Sequence, residues 1–134
     1  MIYLLDTNAL SDWMAGDPGF ENWLQTLGAN DHIVTCTIAR GEILFGIARL
    51  PPGKRRVSLE QAANQVFAQV RCLSIPASAA DHYATVKVTQ QRLGLTLDEN
   101  DLWIAATALA TGAALVSRDN DLARVGGLSV VALF

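Results

Sequence analysis

The chain has 134 residues and a formal net charge of −3 at pH 7, and 51% of its residues are hydrophobic. This length and composition exclude a disordered chain, and we expect residues 1–134 to form a single domain. The longest uncharged stretch, 102–117, has 16 residues, fewer than the roughly 20 that a membrane span requires. With no basic residue before the first apolar segment, we predict a cytoplasmic protein without a signal peptide or a membrane partner.

The first predicted element is a buried strand at 2–5, which ends in the polar sequence Asp6-Thr7-Asn8. A short apolar run closed by polar residues is typical of a parallel strand, and ligands bind beyond the carboxyl ends of such strands. We therefore expect Asp6 at the mouth of a site. The same three polar side chains can also cap the helical turn predicted at 9–14.

Apolar spacing and turn residues predict four more strands and the helices between them. The strands are predicted at 32–36, 72–75, 113–116 and 130–133. The helices are predicted at 20–27, 38–50 with Thr37 as its cap, 54–69, 76–93 and 98–111. Strands that alternate with helices imply a three-layer α/β/α domain with a central parallel sheet of about five strands.

Three further acids are candidates to meet Asp6. Glu42 and Asp101 lie on the apolar faces of predicted helices, where a carboxylate is unusual. Asp119 follows the fourth strand as Asp6 follows the first, and Asp121 is a second candidate beside it.

Each of these acids also has an ordinary structural explanation. Glu42 can pair with Arg40 or Arg49, or lie exposed at the edge of its helix. Asp101 stands in the first turn of its helix, where acids favour the helix dipole and can form a capping box. Asp119 can stabilise a turn through its own side chain.

A cluster of the four acids would require a cation, because neighbouring carboxylates repel one another. Mg²⁺ and Mn²⁺ prefer hard oxygen ligands, and carboxylates without His or Cys suit a metal site that cleaves phosphodiesters. In such a site one metal activates a water, and a second about 4 Å away stabilises the leaving oxygen. If four of the 13 acids bind metal, the remainder with its 10 bases has a charge of +1, so the acidic balance does not exclude a nucleic-acid substrate.

The motifs, in their order and spacing, resemble the PIN domain, and within it the VapC and FitB-like toxins of prokaryotic toxin–antitoxin pairs. They are Leu-Leu-Asp-Thr-Asn ending at Asn8, Glu-x-x-x-Gly-Ile from Glu42, Asp-x-x-Ile-Ala-Ala from Asp101, and Ser-Arg-Asp ending at Asp119. The resemblance covers essentially the whole chain. It implies a metal-dependent ribonuclease, commonly a homodimer, that a small cognate antitoxin inhibits by wrapping around it.

By this resemblance, four acids form the catalytic metal site: Asp6, Glu42, Asp101 and Asp119. The first three would hold the principal metal, expected to be Mg²⁺ with Mn²⁺ as a substitute, and the last would complete the site through water or a second metal. Three residues match positions that hydrogen-bond the carboxylates or the attacking water: Thr7, Asn8 and Ser117.

Five basic residues are candidates to bind RNA: Arg40, Arg118, Lys54, Arg55 and Arg56. The first two lie near site acids in sequence, and can either bind RNA phosphate or pair with those acids. The other three can follow an RNA backbone, but they equally fit a solvated helix start. Trp13 and Trp23 belong either to the core or to a groove for an antitoxin helix.

Our main hypothesis is a Mg²⁺-dependent endoribonuclease toxin that hydrolyses RNA phosphodiester bonds with a metal-activated water. One alternative is a PIN nuclease for RNA processing or DNA cleavage outside toxin–antitoxin biology. Another is a non-catalytic binding module whose acids are caps and ion pairs. A phosphotransferase with an aspartate nucleophile is disfavoured, because it needs a second acid two residues after Asp6, where Asn8 stands.

Overall fold

Five parallel strands form the centre of the protein, whose computed structural model describes residues 1–133. The strands are β1 (Ile2–Leu5), β2 (His32–Cys36), β3 (Arg71–Leu73), β4 (Ala114–Ser117) and β5 (Val130–Ala132). Their order in the sheet is β3-β2-β1-β4-β5, and every neighbouring pair is parallel. The prediction of an α/β domain with a parallel sheet of about five strands is confirmed.

Six α-helices connect these strands. They are α1 (Thr7–Ala15), α2 (Pro18–Gln25), α3 (Thr37–Ala48), α4 (Lys54–Phe67), α5 (Ala79–Arg92) and α6 (Glu99–Thr111). A short 3₁₀ helix at Leu122–Arg124 precedes β5. No helix among residues 1–133 is long and apolar enough to cross a bilayer.

The strand order places a topological switch point at the centre of the sheet. From β1 the chain builds outward through β2 and β3 on one side, and then through β4 and β5 on the other. Leu5 at the end of β1 is level with Val116 in β4, so Asp6 lies beside the carboxyl end of β4. Ligands of open α/β sheets bind at such a point.

Several predicted boundaries were wrong by one to three residues. The third strand is Arg71–Leu73 instead of 72–75, because it pairs only as far as Cys36, where β2 ends. The fourth extends through Ser117, which pairs with Ala132. Thr37 is not a cap but the first residue of α3, and its hydroxyl donates to the Leu73 carbonyl at 3.2 Å.

Helix ends also differ where side chains satisfy the backbone. The first helix begins at Thr7, two residues earlier than predicted, because Asp6 caps it. The second ends at Gln25, and the Thr26 hydroxyl there donates to the Trp23 carbonyl at 2.6 Å. A side chain that bonds its own backbone in this way competes with continuation of the helix.

An aromatic cluster closes one side of the core. Phe20 is fully buried and lies between the rings of Trp13 and Trp23, at centroid distances of 5.4 and 5.7 Å. Tyr3 meets Trp23 edge to face at 5.3 Å. Both tryptophans therefore pack against the core, in agreement with the first of the two alternatives considered for them.

Candidate active site

Asp6 is almost fully enclosed at the carboxyl end of β1. It is 3% exposed, and its Oδ1 accepts the Ala9 N–H at 2.8 Å as the N-cap of α1. The pKa of the Asp6 carboxyl is raised chiefly by burial; the neighbouring Ser117 hydroxyl and the Ala9 N–H oppose this rise, and the negative charge of Asp119 reinforces it. Asp6 is thus a helix cap and a buried acid at once.

Glu42 reaches the site from α3. Its Oε1 accepts a hydrogen bond from the Thr7 hydroxyl at 2.6 Å. Among the described residues neither Arg40 nor Arg49 forms an ion pair with it. The ordinary explanation, a salt bridge on its own helix, therefore does not account for this acid.

Asp101 lies half-buried in the first turn of α6. Its pKa is raised to about 6, mainly by burial and further by the carboxylates of Asp119, Asp98, Glu42 and Asp6. Asp98 occupies the N-cap position of α6, but its side chain makes no capping hydrogen bond. Asp101 therefore experiences the negative charges of the other three candidate acids, and it is not part of a capping box.

Asp119 combines the turn role with a place beside the other acids. Its Oδ1 accepts the Asp121 N–H at 2.8 Å, as expected of a turn residue. Its own N–H donates to the Ser117 Oγ at 3.0 Å. The carboxylate remains near enough to raise the pKa of both Asp6 and Asp101. Asp121 is exposed at the start of the 3₁₀ helix.

The three proposed supporting residues differ in what they do. Thr7 bonds Glu42, and the buried Ser117 accepts the Asp119 backbone N–H and lowers the pKa of the neighbouring Asp6. Asn8 is exposed, and within residues 1–133 its side chain makes no hydrogen bond. Two of the three thus hold carboxylates in place.

An open cleft of about 400 Å³ lies over the α3 side of the site. It is lined by residues of α3 and by one residue of α6: Thr37, Ile38, Gly41, Glu42, Phe45 and Asn100. Sequence analysis did not single out Asn100, although its position directly before Asp101 was a usable signal. The cleft opens the Glu42 edge of the acidic cluster to solvent.

The basic candidates prove to have different surroundings. The Arg40 guanidinium lies over the Phe67 ring, 4.4 Å from its centroid. Arg56 donates to Glu60 at 2.9 Å and to the Leu50 carbonyl at 3.2 Å, as a helix-start residue would. Lys54 and Arg55 are exposed on the same helix start.

Arg118 forms an ion pair that sequence analysis missed. Its Nη2 lies 3.0 Å from Oδ1 of Asp12 in α1. Asp12 is 8% exposed, and its burial raises its pKa against the opposing charge of Arg118. An acid in the middle of a short helix gives no sign of such a partner in the sequence, because 106 residues separate the two.

The donor set fits a hard divalent cation. Four carboxylates with no imidazole or thiolate are the ligands that Mg²⁺ and Mn²⁺ prefer. The pKa of Asp101 is raised by burial and, in smaller part, by repulsion from neighbouring carboxylates, which a cation would relieve. Within residues 1–133, no three His, Cys, Asp or Glu side chains are close enough together to hold a metal as they stand. Binding would therefore draw the carboxylates closer together.

Comparisons with known proteins agree on one family. The family model of the PIN domain matches residues 3–128. A plasmid stability protein, StbB of Pseudomonas syringae pv. tomato, is 33% identical over 134 residues, covering 96% of this chain and 95% of the relative. Ribonuclease VapC2 of Rickettsia felis is 26% identical, covering 89% of this chain and 87% of the relative. The structure of VapBC-1 from nontypeable Haemophilus influenzae superposes with a TM-score of 0.86 at 26% identity, covering 99% of this chain and 98% of the matched chain.

Proposed function

Because this chain belongs to the PIN-domain family, we propose that it is a Mg²⁺-dependent endoribonuclease that acts as the toxin of a toxin–antitoxin pair. The observation that carries the proposal is that the fold brings the acids to one end of the sheet: Thr7, next to Asp6, bonds Glu42 at 2.6 Å, and Asp119 follows β4, which pairs with β1. The charges of Asp6, Glu42 and Asp119 also add to the effect of burial in raising the pKa of Asp101. Packing of the fold does not require acids from two strand ends and two helices to lie close enough to repel one another. A bound cation supplies a reason for this arrangement.

In this proposal the four acids hold Mg²⁺ and the neighbouring hydroxyls hold the acids. When bound, the cation neutralises the carboxylates and activates a water for attack on phosphorus. Thr7 restrains Glu42, the Ala9 N–H restrains Asp6 in a position from which bulk water is largely excluded, and Ser117 restrains the backbone of Asp119. In the hydrolysis the water loses a proton as its oxygen bonds to phosphorus, the bond from phosphorus to the leaving oxygen breaks, and that oxygen takes up a proton.

The toxin role rests on the relatives. One similar protein is named for plasmid stability and another as a VapC ribonuclease, and the superposed VapBC-1 structure covers nearly the whole of this chain. We extend this to a small cognate antitoxin, a homodimer and action on RNA in the cytoplasm. Growth arrest on induced expression, relieved by coexpression of the neighbouring short reading frame, tests this part. Normal growth with active protein present would favour a PIN nuclease outside toxin–antitoxin biology.

The nuclease activity is tested with purified protein and total bacterial RNA. Cleavage should require Mg²⁺ or Mn²⁺, should stop with a chelator and should be absent in Asp6→Asn, whose amide keeps the capping oxygen. Asp17→Asn is the matched control, because Asp17 caps α2 by accepting the Phe20 N–H at 3.0 Å and is not among the four acids. Equal cleavage by Asp6→Asn, or cleavage in chelator, would refute the proposal.

Calorimetric titration separates the enzyme from a non-catalytic binding module. Mn²⁺ should bind the wild-type protein saturably, and Asp101→Asn should weaken that binding at least about tenfold, since it removes a charged ligand. A protein that is folded but shows no saturable Mn²⁺ binding would support the binding module.

A further inference from the structure

Arg118 occupies a position between two parts of the candidate site. It follows Ser117, the last residue of β4, whose hydroxyl accepts the Asp119 N–H, and it precedes Asp119. Its guanidinium is held by Asp12, whose negative charge is itself close enough to contribute to the raised pKa of Asp6. The pair therefore lies at the rim of the acidic cluster, on the α1 side, whereas the open cleft lies on the α3 side.

The two partners differ sharply in exposure. The Asp12 side chain is 11% exposed, and the Arg118 side chain is 49% exposed. A largely buried carboxylate needs a counter-charge, and it fixes the arginine that supplies it. A guanidinium has five N–H donors in a rigid fork, and the contact at Nη2 occupies one side of it. The rest of the fork is left to face solvent.

The other basic candidates are less well placed. Arg40 is stacked on Phe67 and Arg56 is engaged by Glu60 and Leu50, so each already has a structural role. Lys54 and Arg55 lie exposed at the start of α4, and within residues 1–133 neither forms an ion pair with a site acid. A substrate polyanion that approaches four carboxylates needs a cation at the rim, and a planar fork held in one orientation is well suited to phosphate.

We propose that Arg118 binds a phosphate of the RNA adjacent to the site, and that Asp12 is the positioning residue that orients its guanidinium. This inference rests on the proposed ribonuclease function and names the side chain that contacts the substrate backbone. Contacts to phosphate fix the register of a nucleic acid without reading its sequence. Arg118 therefore positions the strand, and the choice of sequence lies elsewhere.

The experiment measures kcat and KM as a function of salt. Total bacterial RNA is first cleaved by the wild-type protein with Mg²⁺, and an oligoribonucleotide that spans one observed cut becomes the probe. Arg118→Ala should raise KM about tenfold while changing kcat little, as expected on loss of one charge-assisted contact. It should also reduce the slope of log KM against log salt by about 0.7, the value for one phosphate of a single strand.

Asp12 is tested through a double-mutant cycle. Asp12→Asn should raise KM about threefold with the salt slope unchanged, and it should have no further effect in the Arg118→Ala background, since it acts through Arg118. Arg92→Ala, which removes an exposed arginine from α5, should behave as wild type. Arg118→Lys should retain the salt slope, which keeps the test valid if Arg118→Ala is poorly folded.

Two results would overturn this inference without refuting the proposed function. One is an unchanged KM and salt slope for Arg118→Ala, and the other is an equal effect of Asp12→Asn in the wild-type and Arg118→Ala backgrounds. If the second result were accompanied by lowered melting temperatures, the ion pair would have a structural role, holding α1 against the end of β4. If the wild-type protein cleaves no RNA with Mg²⁺, the proposed function itself fails, and this inference with it.

Discussion

The Thr7 hydroxyl donates a 2.6 Å hydrogen bond to Oε1 of Glu42 and so joins the first turn of α1 to α3. The two residues are 35 positions apart, and their helices follow the neighbouring strands β1 and β2. A glutamate side chain has several rotatable bonds, and this bond restrains them before any ligand arrives. Thr7 thus supports the site while Asp6 beside it forms part of it.

Replacement of Thr7 by valine should weaken the site without unfolding the protein. The isosteric Thr7→Val change removes the donor, and loss of such a supporting bond typically costs 10–100-fold in metal affinity or activity. Thr7→Ser keeps the hydroxyl and should stay within about threefold of wild type by the same reasoning. Mn²⁺ titration and cleavage rates measure both, and equal values for valine and serine would contradict the role assigned to Thr7.

Removal of the Ser117 hydroxyl should lower stability as well as activity. Ser117 is 1% exposed; its hydroxyl accepts the Asp119 N–H at 3.0 Å and opposes the rise in the pKa of the neighbouring Asp6. Ser117→Ala leaves these buried groups without their partner and should reduce the free energy of unfolding by about 1–3 kcal/mol. The exposed Ser129→Ala is the control, and urea unfolding of both variants in chelator is the measurement.

The metal-free protein should lose stability as pH rises through the range in which Asp101 titrates. The folded-state pKa is about 6 and the unfolded reference is 3.8, so between these values the folded protein retains a proton that the unfolded chain releases. The contribution of this group is then greatest below pH 3.8 and is lost as pH rises to about 6. Asp6, whose pKa is also raised, acts in the same direction.

The variant Asp101→Asn isolates this effect from the other titrating groups. In chelator, the wild-type protein should lose unfolding free energy relative to Asp101→Asn as the pH rises from 3.8 to about 6. Urea unfolding on both sides of the window measures this difference. A difference that is independent of pH would mean that the Asp101 carboxyl does not experience the field of the other acids.

Phe20 should be the most costly of the core aromatics to truncate. It is fully buried between Trp13 and Trp23, so Phe20→Ala leaves a cavity and should cost about 3–5 kcal/mol of unfolding free energy. Phe45 is 68% exposed, and Phe45→Ala should change stability by less than about 0.5 kcal/mol. Thermal or urea unfolding of the two variants gives the comparison, and similar losses would contradict the assigned packing.

The architecture was accessible from sequence because its signals are local. Each strand is a short apolar run, and glycines such as Gly112, with a φ of +69°, mark the helix ends. Boundaries were less accessible, since they depend on what a neighbouring strand offers. The third strand ends at Leu73 because its partner β2 ends at Cys36, which no feature of 71–75 reveals.

The same distinction applies to the site. The four acids were identified from their positions at strand ends and on apolar helix faces, together with a family resemblance. Their mutual field, the bond from Thr7 to Glu42 and the pair of Arg118 with Asp12 depend on distances across the fold. Arg40 and Arg118 looked alike in sequence, yet one stacks on an aromatic ring and the other holds a buried acid.

The sequence by itself determined the parallel α/β fold, the place of Asp6 at a strand end and the identity of the candidate acids, because hydrophobic periodicity and turn chemistry act over a few residues. The tertiary structure alone decided which side chains meet. Ser117 reaches Asp6 only because β4 lies next to β1, and Arg118 reaches Asp12 only because that strand ends beside α1. Hydrogen bonds and ion pairs depend on separation in space, which local sequence patterns do not specify.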